Sequence, residues 1–267
     1  MTVYPNVKLN LGLRVLGTRP DGYHGIQTVF LPHYGFSDTL EIVPSQVFGM
    51  DITGPEYTGW DPSEDLCARA WRLLRADFGI PPVHISLEKT SPVGAGLGGG
   101  SADGAFTLMA LSDIFSLGLP RPRLAEYASL LGSDCAFFIF NAPRYATGRG
   151  EVMEPVELPL DGLRFEVAVP PGVHVSTKEA YAGLPARCHA AILPDPPAAQ
   201  ERESLCDLLL STPVAGWKYV IVNDFEASVF PAHPEIAALK EDFYARGAVY
   251  AAMSGSGSSV FGVFNEA

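Results

Sequence analysis

Basic side chains are scarce in this sequence. Only 18 lysines and arginines stand against 30 aspartates and glutamates, a formal charge of -12 over 267 residues. That balance excludes the broad cationic footprint by which proteins hold nucleic acid or an anionic membrane surface. Any anionic ligand must then be held by local groups. Cysteine is equally sparse. Cys67, Cys135, Cys188 and Cys206 lie far apart, with neither the close pairs of a zinc site nor the density of a disulfide scaffold, so they read as reduced, mostly buried thiols. Long apolar runs are missing too: "CAFFIF", Cys135 to Phe140, falls far short of the roughly twenty residues that a membrane span needs. The start "MTVYPNVKLN" lacks the basic-then-apolar pattern of a signal peptide, and the expected location is the cytoplasm.

What is present is a globular composition, 47% apolar and 18% charged, enough for one large domain or two modest ones. In "VKLNLGLRV" the residues Val7, Leu9, Leu11, Leu13 and Val15 alternate with Lys8, Asn10, Gly12 and Arg14, the pattern of a half-buried strand. "RPDGYHG" carries turn chemistry, and "IQTVFL" and "DTLEIV" read as further strands. Helical spacing runs through "SEDLCARAWRLLRADFG", with Gly79 as its stop, and "VHISLEK" is again a strand. Helices are expected from about Ser101 to Phe115, over "RLAEYASLLG", and from about Pro234 to Arg246. "CAFFIF" reads as a strand. A proline-punctuated strand, "LRFEVAVPPGVHVST", follows a glycine-rich turn, which places a domain boundary near residue 155. "LPDPPAAQ" reads as a surface loop. The layout is α+β in both halves, 1–155 and 156–267.

The densest signal is "SPVGAGLGGGSADGAF", which places five glycines between Gly94 and Gly100 and then turns into helix formers. Consecutive glycines let backbone N–H groups converge, and a helix start adds free N–H groups and a positive dipole end. Phosphate oxygens suit that environment. Ser101 can give its hydroxyl to phosphate or Mg²⁺, or simply cap the helix. Gly94, Gly96 and Gly99 formally satisfy G-x-G-x-x-G, but Thr90 to Val93 separate them from the preceding strand, and no strand ending in an acidic residue follows at the right distance. No G-x-x-x-x-G-K-[ST] occurs. A purely structural loop is the remaining alternative, disfavoured because so many glycines carry a large backbone entropy cost.

"PVGAGLGGGSADGA" resembles the phosphate-binding motif of the GHMP kinases, which phosphorylate small metabolites with ATP. "NVKLNLGLRVLGTRPDGYH", "LGSDCAFF", "ATGRGE", "VNDFE" and "MSGSGSSVF" are similar, in order and spacing, to the branch of that family whose substrate is a cytidine diphosphate-linked methylerythritol. The resemblance implies a ribosomal protein S5 domain 2-like amino-terminal domain, a ferredoxin-like carboxy-terminal domain and an active site in the cleft between them. It implies ATP bound by Pro92, Val93, Gly94, Ala95, Gly96, Leu97, Gly98, Gly99, Gly100, Ser101 and Ala102, with Mg²⁺ carried mainly by phosphate oxygens and no dedicated protein metal site. Phosphoryl transfer needs a positioned hydroxyl, a proton acceptor and positive charge, and the resemblance assigns the last two to Asp134 and Lys8. Alone, an aspartate after a helix stop is usually turn chemistry and a lysine on a strand's wet face is usually solvated.

For the substrate, the resemblance implies that Tyr23 and His24 meet the cytosine ring, that Tyr181 covers its other face, and that Asn10 and Thr177 add polar contacts. Ser256 and Ser258 would sit near the diphosphate. A monomer or weak homodimer is expected, with no nucleic-acid or membrane partner. Two departures stand out: Asp65 where relatives commonly have Asn, and Gly104 in place of an alanine, which should weaken its helix slightly. A homoserine- or mevalonate-type kinase, or a non-catalytic sensor on the same fold, are the alternatives.

Overall fold

In the computed structural model, residues 1–190 and 203–266 are described. "LPDPPAAQ" lies outside them. In chain order the elements are β1 (Thr2–Val3), β2 (Asn6–Thr18), β3 (His24–Ser37), β4 (Thr39–Pro44), β5 (Gly49–Thr53), α1 (Leu66–Phe78), β6 (Val83–Glu88), α2 (Gly99–Ile114), α3 (Arg121–Leu131), α4 (Cys135–Phe140), β7 (Arg144–Thr147), β8 (Val152–Pro155) and β9 (Leu163–Ala168). They continue with α5 (Thr177–Ala182), α6 (Leu205–Ser211), α7 (Trp217–Val220), α8 (Glu226–Ala232), α9 (Pro234–Ala245), β10 (Tyr250–Met253) and β11 (Val260–Asn265). The chain divides into two compact units, one of residues 1–8, 32–93 and 98–142, the other of residues 9–31, 94–97 and 143–267. Strands β2 and β3 run from one unit into the other, so each unit is built from several chain segments.

In the first unit, β1, β4, β6 and β5 form a sheet in that order, with β5 parallel to β6 and the other pairs antiparallel. Leu40, Ile42, Val83, Ile85 and Leu87 from the sheet are buried, as are Ala68, Leu74, Ala105, Leu108 and Leu111 from α1 and α2. Each large aliphatic side chain removed from water contributes roughly 1.5–3 kcal/mol. Helix α1 has clear punctuation. Asp65 caps its start by accepting the Cys67 N–H at 2.9 Å, and Gly79 ends it in the left-handed region at φ 63°. Helices α1 and α2 pack so closely that a Cβ on Gly104 would stand 2.9 Å from Leu66 Cβ, so the glycine that weakens α2 locally admits its neighbour.

One expectation changes here, and one alternative is removed. "CAFFIF" is helix α4, ended by Asn141 in the left-handed region at φ 48°, not a strand. A run that is apolar at every position has no period to separate helix from strand. Ser101 does not cap α2: the cap position is Gly98 at φ 73°, and Ser101 is the third helical residue.

The second unit holds one sheet in the order β2-β3-β7-β8 and a three-stranded antiparallel sheet in the order β10-β11-β9. Leu13, Val15, Ile26, Phe225, Val229, Ile236, Phe243, Met253 and Val260 belong to its core. β2 departs from the half-buried pattern, because Lys8, Asn10 and Gly12 on its polar side are buried as well. Polar groups tolerate that burial only with partners, and the partners mark the site described below.

Asp65 Oδ2 also accepts the Trp60 indole N–H at 3.0 Å. Asp65→Ala should lower the unfolding free energy by about 1 kcal/mol, the usual worth of a cap, while Asp65→Asn should stay close to the parent. Denaturant titration checks both.

Candidate active site

Between β6 and α2 the backbone takes a positive φ at Gly94 (70°), Gly96 (78°) and Gly98 (73°). Side-chain-bearing residues rarely adopt that conformation. Gly98 hands the chain directly to α2, whose first N–H groups have no intrahelical acceptor. In the first unit, Gly98 has a second reason to be glycine: its Cβ would lie 3.2 Å from Lys8 Cγ and Cε. Gly100 is different. An added Cβ there meets no heavy atom within 4 Å, and Gly100 is absent from the positive-φ glycines. Neither strain nor packing demands a glycine at that position.

Lys8 links this loop to a carboxylate. Its stem packs on Gly98, and its Nζ stands 3.5 Å from Asp134 Oδ2. The lysine side chain is 4% exposed and that of Asp134 35%, so the ammonium is enclosed while the carboxylate stays open to a reactant. Burial pushes the Lys8 pKa below its ordinary value, and the charge and hydrogen bond of Asp134 act against that shift. Asp134 occupies the cap position of α4 without capping it, leaving the carboxylate available for other work. The adjacent Cys135 thiol is pushed up to about 11 by burial, a structural rather than a reactive cysteine.

In the second unit, Gly94 to Leu97 lie beside the turn after β10. Ser259 N–H donates to Ala95 O at 3.1 Å, and Gly96 sits directly against the Ser254 carbonyl. Asn223 braces that turn by donating from Nδ2 to Met253 O at 2.7 Å and Gly255 O at 2.8 Å, while Glu226 accepts the Met253 N–H at 2.9 Å. Asn10 is internal. Its Nδ2 donates to Thr28 Oγ1 at 3.0 Å, Thr28 donates to Gly12 O at 2.6 Å, and the Asn10 N–H donates to Ser254 Oγ at 3.1 Å. Thr177, the first residue of α5, lies 3.2 Å from Ser256 Oγ. Ser258 donates to Val173 O at 2.8 Å.

The aromatic residues form a pair that the sequence did not suggest. His24 stacks on Tyr181 with centroids 4.6 Å apart and planes at 25°, and Phe225 meets Tyr181 edge-on at 4.8 Å. A third ring between His24 and Tyr181 needs about 7 Å, two van der Waals contacts, so a base bound there must replace their stack. Tyr23 is 58% exposed, its ring beneath the Arg149 guanidinium at 4.7 Å. His24 Nε2 faces His189 Nδ1 at 3.3 Å. Burial first, then the charge of His189, lowers the His24 pKa. Neither Arg149 nor His189 was found from sequence. Arg149 lay inside the quoted "ATGRGE", but His189 follows "RC" with no pattern to mark it.

Residues 65–142 match the family model described as "GHMP kinases N terminal domain", and residues 215–267 match "GHMP kinases C terminal". A 4-diphosphocytidyl-2-C-methyl-D-erythritol kinase of Bacteroides fragilis is 46% identical over 269 residues, covering 99% of this chain and 92% of that protein. The chain belongs to the GHMP kinase family. A crystal structure of a 4-(cytidine 5'-diphospho)-2C-methyl-D-erythritol kinase, 32% identical, aligns with this GHMP kinase at a TM-score of 0.78, over 100% of this chain and 91% of that one. A homoserine kinase from Cytophaga hutchinsonii, 17% identical, aligns at 0.73 over 100% of this chain and 85% of its own, a likeness of fold alone.

Gly100→Ala separates ligand approach from folding in this GHMP kinase. Alanine for glycine in a helix is expected to add about 0.5–1 kcal/mol of stability, while ATP affinity should drop by at least about tenfold if phosphate contacts that turn. Calorimetry and thermal unfolding on one sample measure both.

Proposed function

We propose that this GHMP kinase transfers the γ-phosphoryl group of ATP to the 2-hydroxyl of 4-diphosphocytidyl-2-C-methyl-D-erythritol, a step of the methylerythritol phosphate route to isoprenoid precursors. The observation that carries the reading is the 46% identity, over 99% of the chain, to a relative of that name. The Lys8–Asp134 pair supplies a chemistry consistent with it. Lys8 touches the loop through its stem and the carboxylate through its head, so one side chain sets the spacing between the phosphate donor and the proton acceptor.

In this mechanism the glycine-loop N–H groups from Pro92 to Ala102 hold the ATP phosphates at the start of α2. Asp134 orients the substrate hydroxyl and accepts its proton as the new O–P bond forms, while the γ-phosphorus breaks from its bridging oxygen and ADP departs with that electron pair. Lys8, enclosed and cationic, favours the negative charge that develops between them, an effect strengthened by the low local dielectric. In this reading Mg²⁺ arrives with the nucleotide, and Ser101 offers it a hydroxyl in the first turn of α2. Bound there, the ion would neutralise phosphate charge and keep most of its ligands as phosphate oxygens and water.

Tyr23, His24 and Tyr181 recognise the cytosine in this reading, with Thr177 and Asn10 completing the polar surround. Asn10 acts by holding Thr28 and the Ser254 turn in place. No helix among the described residues is long and apolar enough to cross a membrane. We place the reaction in the cytoplasm, where ATP is supplied and where the four free cysteines would stay reduced. A homoserine- or mevalonate-type activity has only likeness of fold behind it, and a non-catalytic sensor would have no use for the Lys8–Asp134 pair.

Asp134→Asn and Lys8→Ala should each lower kcat by about 10³-fold, within the range of a lost general base or transition-state charge, with ATP and substrate dissociation constants within about threefold of the parent. A variant with near-parental kcat would remove that residue from the mechanism.

A further inference from the structure

The largest buried polar assembly of the first unit lies beneath the start of α2 and has no part in the chemistry above. Lys89, just past β6, donates from Nζ to Asp103 Oδ2 at 2.7 Å, to Asp38 Oδ2, and to Ser91 Oγ at 3.2 Å. Lys89, Asp38 and Asp103 are each at most 2% exposed, and Ser91 is fully buried. Asp38 is the anchored end. Its Oδ1 accepts the Thr90 and Ser91 N–H groups at 2.7 and 2.8 Å, and its Oδ2 accepts the Ser91 hydroxyl at 2.6 Å. Asp103 is the loose end, because its Oδ1 has no hydrogen-bond partner among the described residues.

Stability alone does not account for this arrangement. Two carboxylates on one ammonium, all out of water, carry a desolvation cost that their attraction repays poorly, and apolar replacements of such clusters are often neutral or stabilising. Geometry offers a better account. α2 begins after Gly98, and no side chain caps it by a hydrogen bond. Asp103 lies one turn into the helix, and Lys89 ties it to the exit of β6. The cluster also touches the loop directly: a Cβ on Gly99 would lie 2.5 Å from Ser91 Oγ and 3.4 Å from Lys89 Nζ.

We propose that Lys89 and Asp103 are positioning residues for the glycine loop, fixing the first turn of α2 so that its free N–H groups meet the nucleotide phosphates. The proposal rests on the nucleotide reading of that loop. The asymmetry within the cluster supports it. Burial, reinforced by the charge of Asp38, pushes the Asp103 carboxyl well above the ordinary carboxylate range against the pull of Lys89. Asp38 goes the other way: burial alone would raise it, but Lys89 and the Ser91 bonds bring it below its usual value. Asp38 therefore holds the lysine, and the lysine holds the helix.

Asp103→Ala tests this, because Lys89 keeps Asp38 and Ser91 and no buried charge is left unpaired. The expected result is a rise of about tenfold in KM for ATP, on the scale of small misplacements of binding groups, with kcat and KM for the cytidine-linked substrate within twofold. Asp103→Asn, which keeps an acceptor for Lys89, should restore KM for ATP to within threefold of the parent. Should Asp103→Ala not fold, Asp103→Leu, which refills the space while Lys89 keeps Asp38 and Ser91, gives the same comparison. A folded variant with parental KM for ATP, or a loss spread equally over both substrates, overturns the proposal. A parent enzyme that binds no ATP by calorimetry would instead sink the nucleotide reading itself.

Discussion

The contact between Lys8 and Gly98 is the constraint on which the placing of Lys8 beside Asp134 depends. A lysine stem can lie along the glycine loop only where the loop has no side chain, and its head can then reach Asp134 at 3.5 Å. Any residue larger than glycine at position 98 would be strained by its φ of 73° and would also push the lysine away. The bare backbone at Gly98 thus lets a buried lysine sit beside a carboxylate.

Buried hydrogen bonds accompany the loop in each unit. On the first unit's side, Asp38 secures Lys89, and Lys89 secures Asp103 in α2. In the second unit, Asn223 and Glu226 brace the turn against which Gly94 to Leu97 lie. Each loop segment thus has a buried polar support of its own. Networks of this kind contribute specificity of arrangement when every member is satisfied; Asp103 Oδ1 and, beside the second unit's turn, Ser259 Oγ have no partner among the described residues.

Much of this was legible in sequence wherever local chemistry decides. Asp65 and Gly79 mark the ends of α1 because a cap side chain and a left-handed glycine act within a few residues. The alternation over Val7 to Val15 gave β2, yet it implied a wet polar face. Lys8 is buried against Asp134, which arrives from a distant part of the chain, and Asn10 against Thr28 of the neighbouring strand β3. "CAFFIF" became helix α4 because tertiary packing decided what an unbroken apolar run could not. The glycine loop, Lys8 and Asp134 were named from the resemblance, and the fold brings the last two into contact. What stayed invisible shares one cause: His189 against His24, Arg149 over Tyr23 and the Asp38–Lys89–Asp103 cluster join residues whose separation along the chain carries no pattern.

Transfer of a phosphoryl group to a cytidine-linked alcohol is the central claim, and ADP release measures it most directly. The purified enzyme would be given ATP with 4-diphosphocytidyl-2-C-methyl-D-erythritol, with 2-C-methyl-D-erythritol 4-phosphate, with homoserine or with mevalonate. Rapid ADP release with the first compound and at least about a hundredfold lower kcat/KM with the other three is the expected result, since binding energy from the remote base should be expressed at the reacting hydroxyl. Equal turnover of the compound that lacks cytidine, or a preference for homoserine or mevalonate, would contradict the account.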